Sequence, residues 1–138
     1  MNDAVKGISK MLEKMDIHYD LTEDESGLVI SLLSEELGIT IRYLIDTTTY
    51  EDGSYKLTIF TSELVKVKNE IEVLKTLNDI NWNNSFITYL ISDKKQVHIR
   101  IETLDNIENI ANDSITFIRS IIDNLEANYD KIMKSNWS

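Results

Sequence analysis

Ile39-Thr40-Ile41-Arg42-Tyr43-Leu44-Ile45-Asp46 carries a large apolar residue at every second position, the pattern of a β-strand with one covered face. The same period continues on both sides. After a turn over 47–53, Tyr55, Leu57 and Ile59 alternate with Lys56, Thr58 and Phe60; before the polar stretch 34–38, residues 28–33 are apolar on both faces. Further upstream Ile17, Tyr19 and Leu21 alternate with His18, Asp20 and Thr22, and the acidic stretch 23–27 separates them from the next strand. Four successive strands joined by short turns predict an antiparallel meander.

The period changes to helical at both ends of this block. Val5, Ile8, Met11, Leu12 and Met15 recur at three- and four-residue spacing and predict an N-terminal helix from Asp3 to about Met15. Asn69 and Glu72 have the spacing of a capping box, so a second helix should run from there to about residues 80–82, with Ile71, Leu74, Leu77 and Ile80 as its apolar stripe. Residues 86–91 and 96–102 read as two strands around the polar turn Ser92-Asp93-Lys94-Lys95. Helical spacing then runs from Ile107 to Met133, with Asn112-Asp113-Ser114 as a point where it could split. The expected architecture is α+β, one domain over residues 1–138: an antiparallel sheet with helices packed on one face, in the order α-β-β-β-β-α-β-β-α. Its core should include Leu57, Ile59, Leu77, Val97, Ile99, Ile118, Ile121 and Leu125.

Composition narrows the chemistry. Fourteen Lys and Arg against 24 Asp and Glu give a net charge of −10, which repels nucleic-acid backbones and anionic membranes, so neither is an expected partner. No Cys is present, which excludes thiolate nucleophiles and sulfur-ligated metals. Neither an apolar run long enough to span a membrane nor a signal peptide is written here, and a cytoplasmic location is the default expectation. The four Gly stand singly at 7, 27, 38 and 53, which offers no phosphate loop, and no acidic cluster has the ligand spacing of a calcium loop. The available bases are His18 and His98, each expected on the polar, solvated register of a strand and outside any catalytic motif. No catalytic residue, metal or cofactor is therefore predicted.

What remains is surface. With helices over the Ile41, Tyr43, Ile45, Leu57, Ile59, Val97, Ile99 and Ile101 face, the opposite face should present Arg42, Leu44, Lys56, Phe60, His98 and Arg100 as a partner-binding set. Apolar groups there provide burial and the cations set register. The competing reading is a small-molecule site or small enzyme that holds an anionic ligand near His98 and Arg100.

The string Leu74-Lys75-Thr76-Leu77-Asn78-Asp79-Ile80-Asn81-Trp82, followed by Phe86-Ile87-Thr88-Tyr89-Leu90, a polar turn and Val97-His98-Ile99-Arg100-Ile101, resembles the bacterial YbjN-like domains. In these a leucine-rich helix with an "LN…N" pattern leads into a hairpin and a long C-terminal helix. The element order is also similar to that of the type III secretion chaperones. The resemblance implies an interaction protein, chaperone-like or regulatory, with no catalytic residues; the chaperones bind extended client segments as homodimers. It places Asn78 and Asn81 on the family pattern, where side-chain amides would fix backbone at the helix exit. A homodimer is expected here as well, because residues 107–133 carry more apolar positions than one helix face needs.

Overall fold

The computed structural model describes residues 1–84 and 86–138. The chain forms α1 (Asp3–Lys14), β1 (Asp20–Leu21), β2 (Gly27–Ser34), β3 (Ile39–Thr49), β4 (Tyr55–Thr61), β5 (Val65–Lys66), α2 (Glu70–Trp82), β6 (Thr88–Ile91), β7 (Gln96–Asp105) and α3 (Ile110–Asn136). This is the expected α+β order with one added strand, β5, whose two residues carry no alternation to read. All strand pairs are antiparallel. The sheet runs β1-β2-β3-β4-β7; Arg100 faces both Phe60 and Thr88, and Val97 faces both Val65 and Ile91, so β4 and β5 share one edge of β7 and β6 takes the other.

Two glycines make the meander possible. A Cβ on Gly27 would meet the Ile45 carbonyl oxygen at 2.5 Å, so only glycine lets β2 pass β3 at this point. Gly53 turns the β3–β4 connection at φ +85°, a left-handed conformation costly for other residues. The β6–β7 turn manages without glycine: Lys95 takes φ 59°, and its N–H closes on the Ser92 carbonyl at 2.9 Å.

β1 is shorter than its sequence pattern. The helix end explains this, because Asp16 is left-handed and the Ile17 N–H donates to the Leu12 carbonyl at 2.9 Å, which ties Ile17 to α1 rather than to β2. His18 thus lies ahead of β1 in irregular chain, exposed, with Nε2 at 3.6 Å from an Asp20 carboxylate oxygen. At the other edge Asn81 covers β6: its Oδ1 accepts from the Tyr89 N–H at 2.7 Å and its Nδ2 donates to the Tyr89 carbonyl at 2.8 Å. The amide acts as one residue of an extra strand and blunts that edge. Asn78, the other residue of the family pattern, is exposed on α2.

One face of the sheet is dry. Ile41, Tyr43, Ile45, Leu57, Ile59, Val97, Ile99 and Ile101 are buried there, against Val5, Ile8 and Leu12 of α1, Val73, Leu77 and Ile80 of α2, and Ile118, Ile121, Leu125 and Ile132 of α3. Every residue of the expected core is in it. The apolar stripe of α2 needs correction, since Val73, Leu77 and Ile80 point inward while Ile71 and Leu74 are exposed. α3 is one uninterrupted helix; the Ser114 hydroxyl donates to the Ile110 carbonyl at 2.7 Å, inside the helix rather than capping a break. α1 and α2 both pack on α3, so its surplus of apolar positions is covered within one chain.

Candidate functional site

The opposite face of the sheet carries no helix. Strand register lays out its residues: Val29 faces Leu44, Leu44 faces Phe60, Phe60 faces Arg100 and Arg100 faces Thr88, forming one row across five strands. In the adjacent row Ser31 faces Arg42 and His98 faces Leu90. Val29, Arg42, Leu44, Phe60, Thr61, Ser62, Glu63 and His98 line a shallow depression of about 350 Å³. Four of the six residues expected from sequence therefore meet in one place. Arg100 flanks it through its pairing with Phe60.

The break between β4 and β5 shapes this depression. Pairing to β7 stops after Phe60 and resumes at Val65, and between them the chain bonds to β3: the Ser62 N–H donates to the Arg42 carbonyl at 2.8 Å. β7 would lose ladder partners here, but Thr61 replaces them. Its Oγ1 accepts from the Ile99 N–H at 2.9 Å, and its carbonyl lies 2.9 Å from His98 Nδ1. A carbonyl only accepts, so Nδ1 carries the proton and is committed to this bond.

His98 is the principal correction to the sequence reading of this face. Strand alternation predicts an exposed side chain on a polar register, yet it is only 9 % exposed. Its ring stacks on Phe60 with centroids 4.8 Å apart and planes 16° from parallel. The stack forms the apolar floor, so Phe60 and His98 act together as one flat surface. The register was right and the exposure wrong, because the excursion of residues 61–64 supplies both a partner and a cover.

Lys56 lies on the same face but away from the depression. Its Nζ is 2.9 Å from a Glu102 carboxylate oxygen; the hydrogen bond and the opposite charge raise the lysine pKa and lower that of Glu102. Lys56 is thus already engaged. Arg42 and Arg100 are exposed and have no ion pair within 4 Å among the described residues. The described residues contain no group of three His, Asp or Glu side chains placed to hold a metal, and no helix long and apolar enough to cross a membrane.

A second surface was not anticipated. Ile71, Leu74 and Trp82 lie at helical spacing along the outer side of α2, with Trp82 89 % exposed, and Phe86 just beyond the helix is exposed too. The sequence held a signal for it: α2 has apolar residues at more positions than one stripe can contain.

An antiparallel sheet with helices on one side and an open opposite side defines the class, an α+β domain of YbjN-like fold. The crystal structure of YbjN from E. coli, a candidate transcription regulator, matches with a TM-score of 0.52 and 9 % identity, over 89 % of this chain and 86 % of that one. The Yersinia pestis type III secretion chaperone SycH, solved in complex with a stable fragment of YscM2, matches at 0.48 and 8 %, over 87 % of this chain and 94 % of that one. No protein-family model matches the chain, and no curated protein matches it by sequence.

Proposed function

We propose that this chain is a non-enzymatic protein-interaction module, chaperone-like or regulatory, that binds a protein partner on its open sheet face through Arg42, Leu44, Phe60, His98 and Arg100, with Lys56 at the margin. One observation carries the reading: residues from β2, β3, β4 and β7 converge on an apolar floor bordered by arginines on a sheet face that no helix covers. Such a mix of burial and unpaired charge suits a docking surface. The fold shared with YbjN is consistent with this. A small anionic ligand is less well served, because His98 has already spent Nδ1 on Thr61 and the depression is shallow.

The homodimer belongs to the same proposal on a different surface. α3 supplies no uncovered apolar face for it, whereas the Ile71, Leu74 and Trp82 stripe of α2 does. A cytoplasmic location is also part of the reading. Leu44→Asp tests the sheet face and Leu74→Asp tests α2; both sites are exposed, so both variants should fold. Proteins retained from lysate should be lost with the first and kept with the second, while sedimentation should show the second as a single chain. Unchanged retention with Leu44→Asp contradicts the assignment of the face.

A further inference from the structure

Resting on the sheet-face reading, we infer that the preferred occupant of this face is an extended protein segment with an apolar or aromatic side chain and a carboxylate two residues to each side. Arg42 and Arg100 lie on strands separated by β4 and in adjacent rows, which puts their Cα atoms about 12 Å apart from strand spacing and rise. The Phe60–His98 stack lies between them.

Neither guanidinium has an ion-pair partner within 4 Å among the described residues, although acids outnumber bases 24 to 14 in the chain; the acid that acts on Arg100 from farther off, Glu102, is held by Lys56. Of the other cations on this face, Lys56 is paired with Glu102 at 2.9 Å, and Lys66 lies beyond the depression on β5, opposite Gln96. An occupant that completes the face must bring two negative groups and something apolar to cover the stack. In an extended chain, side chains two apart point the same way, and four residues span about 13 Å. An acid, an apolar residue and a second acid at alternate positions therefore match arginine, floor and arginine. Guanidinium takes a carboxylate through two parallel hydrogen bonds, which favours Asp or Glu over a neutral polar group. Glu63 on the rim opposes a carboxylate at the centre of the depression, where the pattern places the apolar side chain.

The probe is a blocked heptapeptide with a central phenylalanine and glutamate two residues to each side, compared with versions bearing lysine at the flanks or alanine at the centre. Amide shifts of the ¹⁵N-labelled full chain at about 0.15 M salt, where long-range repulsion by the acidic chain is screened, report both site and affinity. The glutamate peptide should shift Leu44, Phe60 and His98 and bind at least about fivefold tighter than the lysine peptide, as expected of two exposed ion pairs. Arg42→Glu with Arg100→Glu should reverse that order, and the alanine peptide should bind more weakly than its parent. Equal or better binding of the lysine peptide to the same amides would overturn the acidic preference while leaving the face as a binding surface. No shift from either peptide also overturns the inference, and the Leu44→Asp comparison decides separately whether the face binds protein.

Discussion

His98→Ala should destabilise this protein far more than a histidine on a solvated strand would. Three losses combine. The Thr61 carbonyl loses its 2.9 Å bond to Nδ1, and an unsatisfied buried acceptor costs about 1–3 kcal/mol. The Phe60 ring loses a stacked partner at 4.8 Å, worth roughly 0.5–1.5 kcal/mol. Removing most of a side chain that is 9 % exposed also forfeits packing, although the open side of the sheet lets water fill part of the gap. The sum is about 2–4 kcal/mol, or roughly 6–15 °C in Tm for a chain of this size. Urea unfolding followed by circular dichroism measures it, with thermal melts as a second probe. His98→Asn is the informative companion, because its Nδ2 replaces the donor but not the ring, so it should recover about 1 kcal/mol. His18→Ala is the control: His18 is exposed and should change stability by less than about 0.5 kcal/mol. If His98→Ala also falls below that level, the Thr61 bond and the Phe60 stack do not hold the depression together.

Other positions test other parts of the account. Asn81→Ala removes both bonds to the Tyr89 backbone and should cost about 2–4 kcal/mol in urea unfolding, whereas Asn78→Ala, on the exposed side of α2, should cost under about 0.5 kcal/mol. Ile121→Ala should cost roughly 2–5 kcal/mol, since that side chain is wholly enclosed between α3 and the sheet. Asp105 has a buried, unpartnered Oδ2, and burial, reinforced by Asp113, raises its pKa. A carboxyl raised on folding favours the folded state most below its unfolded value, near 4, and that advantage fades as pH rises through the folded value. Asp105→Asn should therefore raise the urea midpoint at pH 7, with the gain vanishing near pH 3.

The sheet was legible because alternation in β2, β3, β4 and β7 is set by local chemistry, and one face could be assigned from Ile41, Tyr43 and Ile45 alone. α2 shows the limit. Ile71-Leu74-Leu77 and Val73-Leu77-Ile80 are both acceptable helical stripes, and only packing against β6 and α3 selects the second. β5 exists because Leu64 donates to the Val97 carbonyl of β7 and Val67 to the Lys95 carbonyl in the turn before it, a long-range event with no period in two residues. The candidate site divides in the same way. Register placed Arg42, Leu44, Phe60, His98 and Arg100 on one face, but the burial of His98 depends on where residues 61–64 leave the sheet. Lys56 was named correctly as a cation of that face, while its pairing with Glu102 depended on the β4–β7 register.

Protein binding by the open sheet face is open to a direct test. The most direct measurement isolates the chain from lysate in three forms, wild type, Leu44→Asp with Arg100→Glu, and Trp82→Ala, and compares retained proteins quantitatively at equal amounts of folded bait. A set of proteins should be retained by the wild type and Trp82→Ala and lost with the sheet-face variant. Retention of the same set by all three, or its loss only with Trp82→Ala, would contradict binding by that face.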